Sequence, residues 1–137
     1  MANPSPGFAR APSKVLVIEA HDGEVVVSAG SETIARSRNA LRLSEPPYPP
    51  VLYIPFADVD FTKLAKTAHS THCPYKGDAS YWSVLPAGAA GANAMWAYET
   101  PIAHAAAIAG HGAFDTSLVD VDANPAKDPQ HTPRLVE

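Results

Sequence analysis

The sequence predicts a single domain with a mainly-β fold of short antiparallel strands. Hydrophobic residues make up 46% of its 137 residues, enough to form a core without a disulfide or a structural metal. The 14 prolines and 8 glycines divide the chain into short segments. Many of these segments are rich in β-branched residues or alternate apolar and polar side chains, which favours strands over long helices.

The charge and the cysteine content argue against several functional classes. A net charge of −4 does not suit a general nucleic-acid binder, which needs clustered lysine and arginine residues to neutralise phosphates. A single cysteine cannot form an internal disulfide or a C-x-x-C motif, and this favours a reducing compartment. Because the sequence shows neither a secretory signal nor an apolar run of membrane-spanning length, we expect a cytoplasmic protein with no membrane partner.

The first third of the chain predicts an antiparallel meander. Residues 1–13 contain three prolines and are expected to form an N-terminal arm. Two β-branched runs, Val15–Glu19 and Glu24–Ser28, flank an Asp-Gly pair and are predicted to form a hairpin. Two further strands are expected at Thr33–Ser37 and Ala40–Ser44.

A proline-rich segment then separates the meander from the middle of the chain. Residues 45–50, E-P-P-Y-P-P, prevent regular strand pairing and predict a change in chain direction. A strand is expected at Val51–Pro55. Asp58 or Asp60 is then placed to cap a short helix that runs to Ala65.

The second half of the chain predicts aromatic strands and one further helix. Ala79–Leu85 and Ala94–Glu99 are expected to be strands, separated by a flexible loop of small residues. Thr100 suits the N-cap of a helix that would end at Gly110. Two short strands complete a domain that spans residues 14–121, and the proline-rich residues 122–137 predict a disordered tail.

Residues 71–82 contain the densest group of chemically distinctive side chains. Lys76 lies in a predicted turn and is a candidate to bind a carboxylate or a phosphate, unless it is simply solvated. Cys73 is a candidate nucleophile, with Lys76 stabilising its thiolate and His69 or His72 as its base. The alternative is that Cys73 fills the core as a small apolar residue. The histidine spacing arises readily by chance, so we predict no metal site.

Other candidate site residues lie near strand ends. Glu45 and Asp58 are placed for general acid or base catalysis, although helix capping by Asp58 and solvent exposure of Glu45 are alternatives. The aromatic residues are expected mainly to pack in the core. The hydroxyl groups of Tyr53 and Tyr98 are nevertheless candidates to face a cleft.

Several motifs occur together in this chain: G-x-x-x-I-A-x-S at 30–37, Y-I-P at 53–55, T-H-C-P-Y-K-G-x-A-x-Y-W at 71–82 and W-A-Y-E-x-P at 96–101. Through these motifs, residues 12–122 resemble the DUF427 family of small bacterial proteins of unknown function. The resemblance implies an Mss4-like, or β-tent, architecture with antiparallel sheets, two short helices and a cleft between the sheets. Relatives of that architecture bind zinc through paired C-x-x-C motifs or reduce methionine sulfoxide, and a chain with one cysteine has neither motif.

The combined hypothesis is a pocket between the sheets that binds or transforms a small polar or anionic metabolite. In an enzyme, Lys76 would anchor the substrate, and Cys73 or Glu45 would carry out covalent chemistry or proton transfer. The alternative is a non-catalytic interaction or structural module, with a homodimer as a further expectation. No cofactor is predicted. The predicted pocket is lined by Glu45, Tyr53, Asp58, Cys73, Lys76 and Tyr98.

Overall fold

The computed structural model describes residues 16–46 and 48–124, which form ten β-strands and four short 3-10 helices. The strands are β1 (Val17–Ala20), β2 (Glu24–Ala29), β3 (Glu32–Ser37), β4 (Leu41–Ser44), β5 (Val51–Pro55), β6 (Leu64–Cys73), β7 (Gly77–Val84), β8 (Met95–Ala97), β9 (His111–Phe114) and β10 (Asp120–Asn124). The 3-10 helices are η1 (Phe56–Asp58), η2 (Phe61–Lys63), η3 (Leu85–Gly91) and η4 (Ala103–Ile108).

The strands form two antiparallel sheets. The larger sheet has seven strands in the order β1-β4-β5-β9-β8-β7-β6, and the smaller has three in the order β10-β2-β3. Each pair of neighbouring strands in these sheets is antiparallel. The predicted mainly-β fold of antiparallel sheets is therefore confirmed.

The seven-stranded sheet has a hydrophobic core on each face, because successive residues of a strand point to opposite sides. In β5, Ile54 packs in one core and Tyr53 in the other. The first core also includes Val27 of the small sheet, so it lies between the two sheets. The second core, on the opposite face, includes Ala105 and Ile108 of η4. Its buried residues are Leu43, Val51, Tyr53, Ala79, Tyr81, Trp96, Tyr98, Ala105, Ile108 and Ala113.

The predicted hairpin of the first two strands is wrong. β1 pairs with β4 in the large sheet, whereas β2 pairs with β3 and β10 in the small sheet. Gly23 does lie in a bend between β1 and β2, with a φ of 113°. A local turn motif indicates that the chain bends but not which strand completes the hydrogen-bond ladder. The chain therefore crosses between sheets before β2 and again after β3, instead of forming a meander.

Two of the four helices, η2 and η4, occur where the sequence predicts helices, but they are shorter and differ in kind. Asp60 caps η2 by accepting a hydrogen bond from the backbone of Thr62, yet Leu64 and Ala65 already belong to β6. The predicted helix after Thr100 is η4, which begins only at Ala103 and is kinked at its third residue. Alanine has the highest intrinsic helix propensity, but this preference is too weak to fix the conformation of a short segment, so tertiary packing decides it. No helix in the described residues is long and apolar enough to cross a membrane.

Three further segments differ from the sequence prediction. β6 was not predicted, because most of its ten residues are exposed and show no apolar alternation. The loop predicted before Asn93 is largely η3, whose last residue, Gly91, is buried. Residues 122–124 belong to β10 and pair with β2, so the ordered domain extends past 121. The predicted arm at 1–13 and the remainder of the predicted tail, residues 125–137, lie outside the described residues.

Candidate functional site

A buried ion pair joins Glu45 and Lys76, which are 31 residues apart in the sequence. The Nζ of Lys76 donates a hydrogen bond to Oε1 of Glu45 at 2.9 Å. The side chain of Lys76 is 1% exposed and that of Glu45 is 9% exposed. Of the described residues, these two have the only charged side chains in the buried class. The pair is therefore largely shielded from water.

Local structure explains how each partner reaches this position. Glu45 directly follows β4 and continues the alternation of Leu41 and Leu43, which pack in the second core. Lys76 lies in the tight turn between β6 and β7, where its backbone N–H donates to the carbonyl of Cys73 at 3.2 Å. Gly77 closes this turn with a φ of 117°, a conformation that favours glycine.

Aromatic side chains border the ion pair. The Nζ of Lys76 lies 5.7 Å from the centroid of the Tyr98 ring, within the range of a cation–π interaction. Tyr98 shares the second core with Trp96 and Tyr53. There the indole N–H of Trp96 donates to the hydroxyl of Tyr53 at 3.4 Å. The ion pair thus lies at the margin of an aromatic core.

The segment before η4 packs against the turn that carries Lys76. The backbone N–H of Ile102 donates to the carbonyl of Lys76 at 2.8 Å. A Cβ atom added to Gly77 would lie 3.5 Å from the nitrogen of Ile102, so the two segments are in close contact. Ala105 and Ile108, farther along, pack in the second core. This segment thus contacts the backbone of the turn that carries Lys76.

Cys73 lies at the start of the same turn. Its side chain is half-buried, packs against the second core and forms no disulfide. The neighbouring histidines make separate contacts. The ring of His69 packs edge-on against that of Tyr81, with 4.5 Å between the ring centroids. The Nδ1 of His72 is hydrogen-bonded to Oδ1 of Asp78 at 2.8 Å. Within the described residues no group of three or more His, Cys, Asp or Glu side chains could hold a metal ion.

A comparison with protein families supports the resemblance noted in the sequence. The family model described as a domain of unknown function, DUF427, matches residues 17–124. The chain belongs to the DUF427 family. The match spans all ten strands of this DUF427 domain and includes both Glu45 and Lys76. A search among curated proteins found no match.

Asp58 of the DUF427 domain makes its contacts elsewhere. Its Oδ2 accepts a hydrogen bond from the hydroxyl of Ser37 in β3 at 2.6 Å. Ser37 in turn accepts from the backbone N–H of Asn39 at 2.9 Å. Asp58 also lines a surface cavity of about 410 Å³ beside β3, and neither Glu45 nor Lys76 lines that cavity. Its observed role is to tie η1 to the small sheet.

The DUF427 domain also carries an exposed counterpart of the buried ion pair. The Nζ of Lys66 donates a hydrogen bond to Oε1 of Glu99 at 3.1 Å and lies 5.3 Å from the ring centroid of Trp82. Both side chains are about half exposed, at 54% and 42%. The Ser80 hydroxyl hydrogen bond, followed by the Lys66 contact, lowers the pKa of Glu99. The chemistry matches that of the buried pair, but the exposure to water differs.

The structure brings together most, but not all, of the predicted site residues. Lys76 contacts both Glu45 and Tyr98. Tyr53 belongs to the second core, and Cys73 packs against it. This group lies on the face of the large sheet away from the small sheet, rather than between the sheets. The sequence did not single out Trp96 as a site residue, although its alternation with Tyr98 places both on one face.

Proposed function

We propose that this DUF427 domain binds a small polar metabolite at the Glu45–Lys76 ion pair. The observation that carries the proposal is the burial of both charges. Removing two charges from water costs several kcal/mol per ion, and apolar residues of similar volume are often as stable or more stable. Stability alone is therefore a weak reason for the pair to be present, whereas ligand recognition gives it a specific role.

The surroundings of the pair support this proposal. Small-molecule sites usually combine apolar and aromatic walls with a few convergent polar groups. Tyr98 supplies an aromatic wall beside Lys76, and Tyr53 adds a hydroxyl group on the same face. The turn residues Cys73 and Tyr75 are only half-buried. We expect a ligand to enter past this turn.

Ligand binding is the function that the geometry supports best, and a catalytic function would require this binding as its first step. Lys76 would hold the ligand, and Cys73, at the start of the same turn, is the candidate nucleophile to act on it. In a reducing, cytoplasmic setting its thiol would stay available. A Cys73→Ser variant that keeps ligand affinity but stops ligand turnover would identify an enzyme, whereas unchanged ligand in both proteins would identify a binding domain.

The proposal is tested by a thermal-shift screen of small polar metabolites. Wild type is compared with Lys76→Met/Glu45→Leu, which removes both buried charges, and with Lys66→Met, which breaks the exposed pair. We expect ligands that stabilise wild type and Lys66→Met but not the double variant. Such ligands should also slow the alkylation of Cys73 by iodoacetamide. Equal shifts in all three proteins, or no ligand at all, would refute the proposal.

A second candidate function is an interaction module, favoured by the exposed edge strand β6. This strand is ten residues long, and within the described part of the chain it pairs on one side only, with β7. An unpaired edge can add a strand from another chain or form a homodimer. However, its register shifts between Lys66 and Ser70, and such irregularities with an edge lysine are typical of edges protected against pairing. Light scattering after gel filtration tests this: a monomer at all concentrations would contradict homodimer formation.

A further inference from the structure

The surface cavity beside β3 has the size and the lining of a small-molecule site. Its volume is about 410 Å³, and small-molecule pockets typically measure about 300–1,000 Å³. Residues 33–36 of β3 form one wall, and residues 57–60, which begin within η1, form the other. Both walls combine apolar residues with polar ones, as ligand sites generally do.

Backbone contacts hold the two walls of this cavity together. Ala35 of β3 and Val59 form an isolated antiparallel bridge. The backbone N–H of Asp60 donates to the carbonyl of Ile34 at 2.8 Å. These contacts give the cavity a defined shape, as expected of small-molecule sites, which are usually largely pre-formed.

Within the described part of the chain, Asp58 is the charged lining residue that lacks an oppositely charged partner. Its Oδ2 accepts a hydrogen bond at 2.6 Å from the hydroxyl of Ser37, which is a neutral donor. No described side chain forms an ion pair with this carboxylate. A part-buried carboxylate has given up some of its hydration and is stabilised by an opposite charge. Asp58 is therefore suited to bind a cation.

The other two charged lining residues are already paired. The guanidinium of Arg36 lies 3.2 Å from the carboxylate of Glu24, and the carboxylate of Asp60 lies 3.9 Å from the ammonium of Lys63. Neither Glu24 nor Lys63 lines the cavity. The uncompensated charge of the cavity is therefore that of Asp58.

We propose that this cavity binds a small organic cation with a primary ammonium group. The ammonium donates hydrogen bonds to the Asp58 carboxylate, and such charge-assisted bonds are roughly twice as strong as neutral ones. The apolar part of the ligand contacts the exposed Ala57 and the hydrocarbon stem of Arg36. A carboxylate ligand would instead face the like charge of Asp58. Neither Glu45 nor Lys76 lines this cavity, so the inference does not depend on the proposed function.

Two matched sets of probes test the charge preference at pH 7. One set is butylammonium, butanol and butyrate, and the other is phenethylammonium, phenylethanol and phenylpropionate. Each set keeps the hydrocarbon part nearly constant while the head group is cationic, neutral or anionic. Titration calorimetry measures the affinity of each probe for wild type. We expect the ammonium probe of at least one set to bind about tenfold or more tightly than its alcohol and its carboxylate.

Three variants test whether the probe binds in this cavity. Asp58→Asn removes the charge but keeps an oxygen acceptor for Ser37, and it should weaken ammonium binding about tenfold or more. Ala57→Leu keeps the charge but fills part of the cavity, and it should weaken binding to a similar extent. Asp122→Asn makes the same change in net charge at an exposed residue of β10 outside the cavity, and it should leave binding unchanged.

Nuclear magnetic resonance locates the probe directly. In isotope-labelled wild type, the ammonium probe should shift the backbone amide signals of residues 33–36 and 57–60. If Asp58→Asn does not fold, Ala57→Leu, a change at an exposed residue, still decides the question together with these signals.

The inference is wrong if no ammonium probe binds, or if the alcohol or the carboxylate binds as tightly. It is also wrong if Asp58→Asn and Ala57→Leu bind the ammonium probe like wild type, or if Asp122→Asn weakens binding as much as they do. Ammonium binding that Asp58→Asn retains but Lys76→Met/Glu45→Leu loses would locate the probe at the buried ion pair. That result would contradict this inference without contradicting the proposed function.

Discussion

The change Lys76→Met should destabilise the fold strongly, and far more than the equivalent change at Lys66. Methionine keeps the apolar length of lysine but removes the ammonium, which leaves the Glu45 carboxylate buried without the partner now at 2.9 Å. Breaking a buried ion pair from one side costs about 3–5 kcal/mol. Lys66 has the same two kinds of contact, a carboxylate at 3.1 Å and an aromatic ring at 5.3 Å, but its side chain is 54% exposed. Losing an exposed pair costs about 0.2–1 kcal/mol.

Urea denaturation, followed by tryptophan fluorescence, measures both changes. With a slope of about 2 kcal/mol per M, typical of small domains, Lys76→Met should lower the midpoint by about 1.5–2.5 M and Lys66→Met by about 0.5 M or less. The double change Lys76→Met/Glu45→Leu should recover most of the loss, because no buried charge of the pair is left uncompensated.

Two results would refute this reasoning. If Lys76→Met lowers the free energy of unfolding by no more than Lys66→Met does, burial does not determine how much the ion pair contributes to stability. If the double variant is as unstable as the single one, the loss comes from packing and not from an uncompensated carboxylate. A Lys76→Met protein that fails to fold remains informative through the double variant, which should fold.

Three other predictions address parts of the fold outside the ion pair. Gly91→Ala should lower the free energy of unfolding by about 2–3 kcal/mol, because the added Cβ would overlap the carbonyl oxygen of Val84. Gly88→Ala, in open space at a φ of 60°, should lower it by about 1–2 kcal/mol. Equal urea midpoints for the two variants would contradict the steric argument. Tyr53→Phe should lower the free energy of unfolding by about 1–2 kcal/mol and alter Trp96 fluorescence, because the buried indole N–H loses its acceptor. Tyr48→Phe, at a residue that is 45% exposed, serves as the control, and equal losses in the two variants would count against the hydrogen bond. Glu99→Gln should lower stability at neutral pH by a fraction of a kcal/mol, because the pair is exposed. Since the Ser80 and Lys66 contacts lower the pKa of Glu99 in the folded state, that contribution is present above the usual glutamate range and is lost as the pH falls through the lowered pKa; a wild-type to variant difference that persists in acid would disprove this assignment.

The sequence alone determined the features that depend on local chemistry. The alternation of side chains along a strand requires Tyr53 and Ile54 of β5 to lie on opposite faces, and the structure puts these residues in different cores. The strand predicted at Val51–Pro55 has the observed bounds, and the proline-rich segment before it reverses the chain so that β4 and β5 pair. Of the two predicted helix caps, Asp58 and Asp60, it is Asp60 that caps a helical turn. Each of these depends on a few neighbouring residues, whose conformational preferences act over short distances.

The sequence also identified most residues of the candidate site, but it did not predict which of them contact one another. Glu45 and Lys76 were both identified, but nothing in either local segment shows that they form a pair across 31 residues. Asp58 appeared equivalent to Glu45 in sequence, yet it bonds to Ser37 of the small sheet. Such differences depend on which strands pair and which face each residue occupies.

Only the tertiary structure decided how the strands divide between the sheets. The Asp-Gly turn predicted a hairpin, but β1 and β2 separate because each completes a ladder with strands far along the chain. It also decided that β6 is an edge strand and that the alanine-rich segment before Gly110 is a kinked 3-10 helix. In these cases long-range packing and pairing outweigh weak local preferences, and burial of an ion pair is itself a property of the assembled fold.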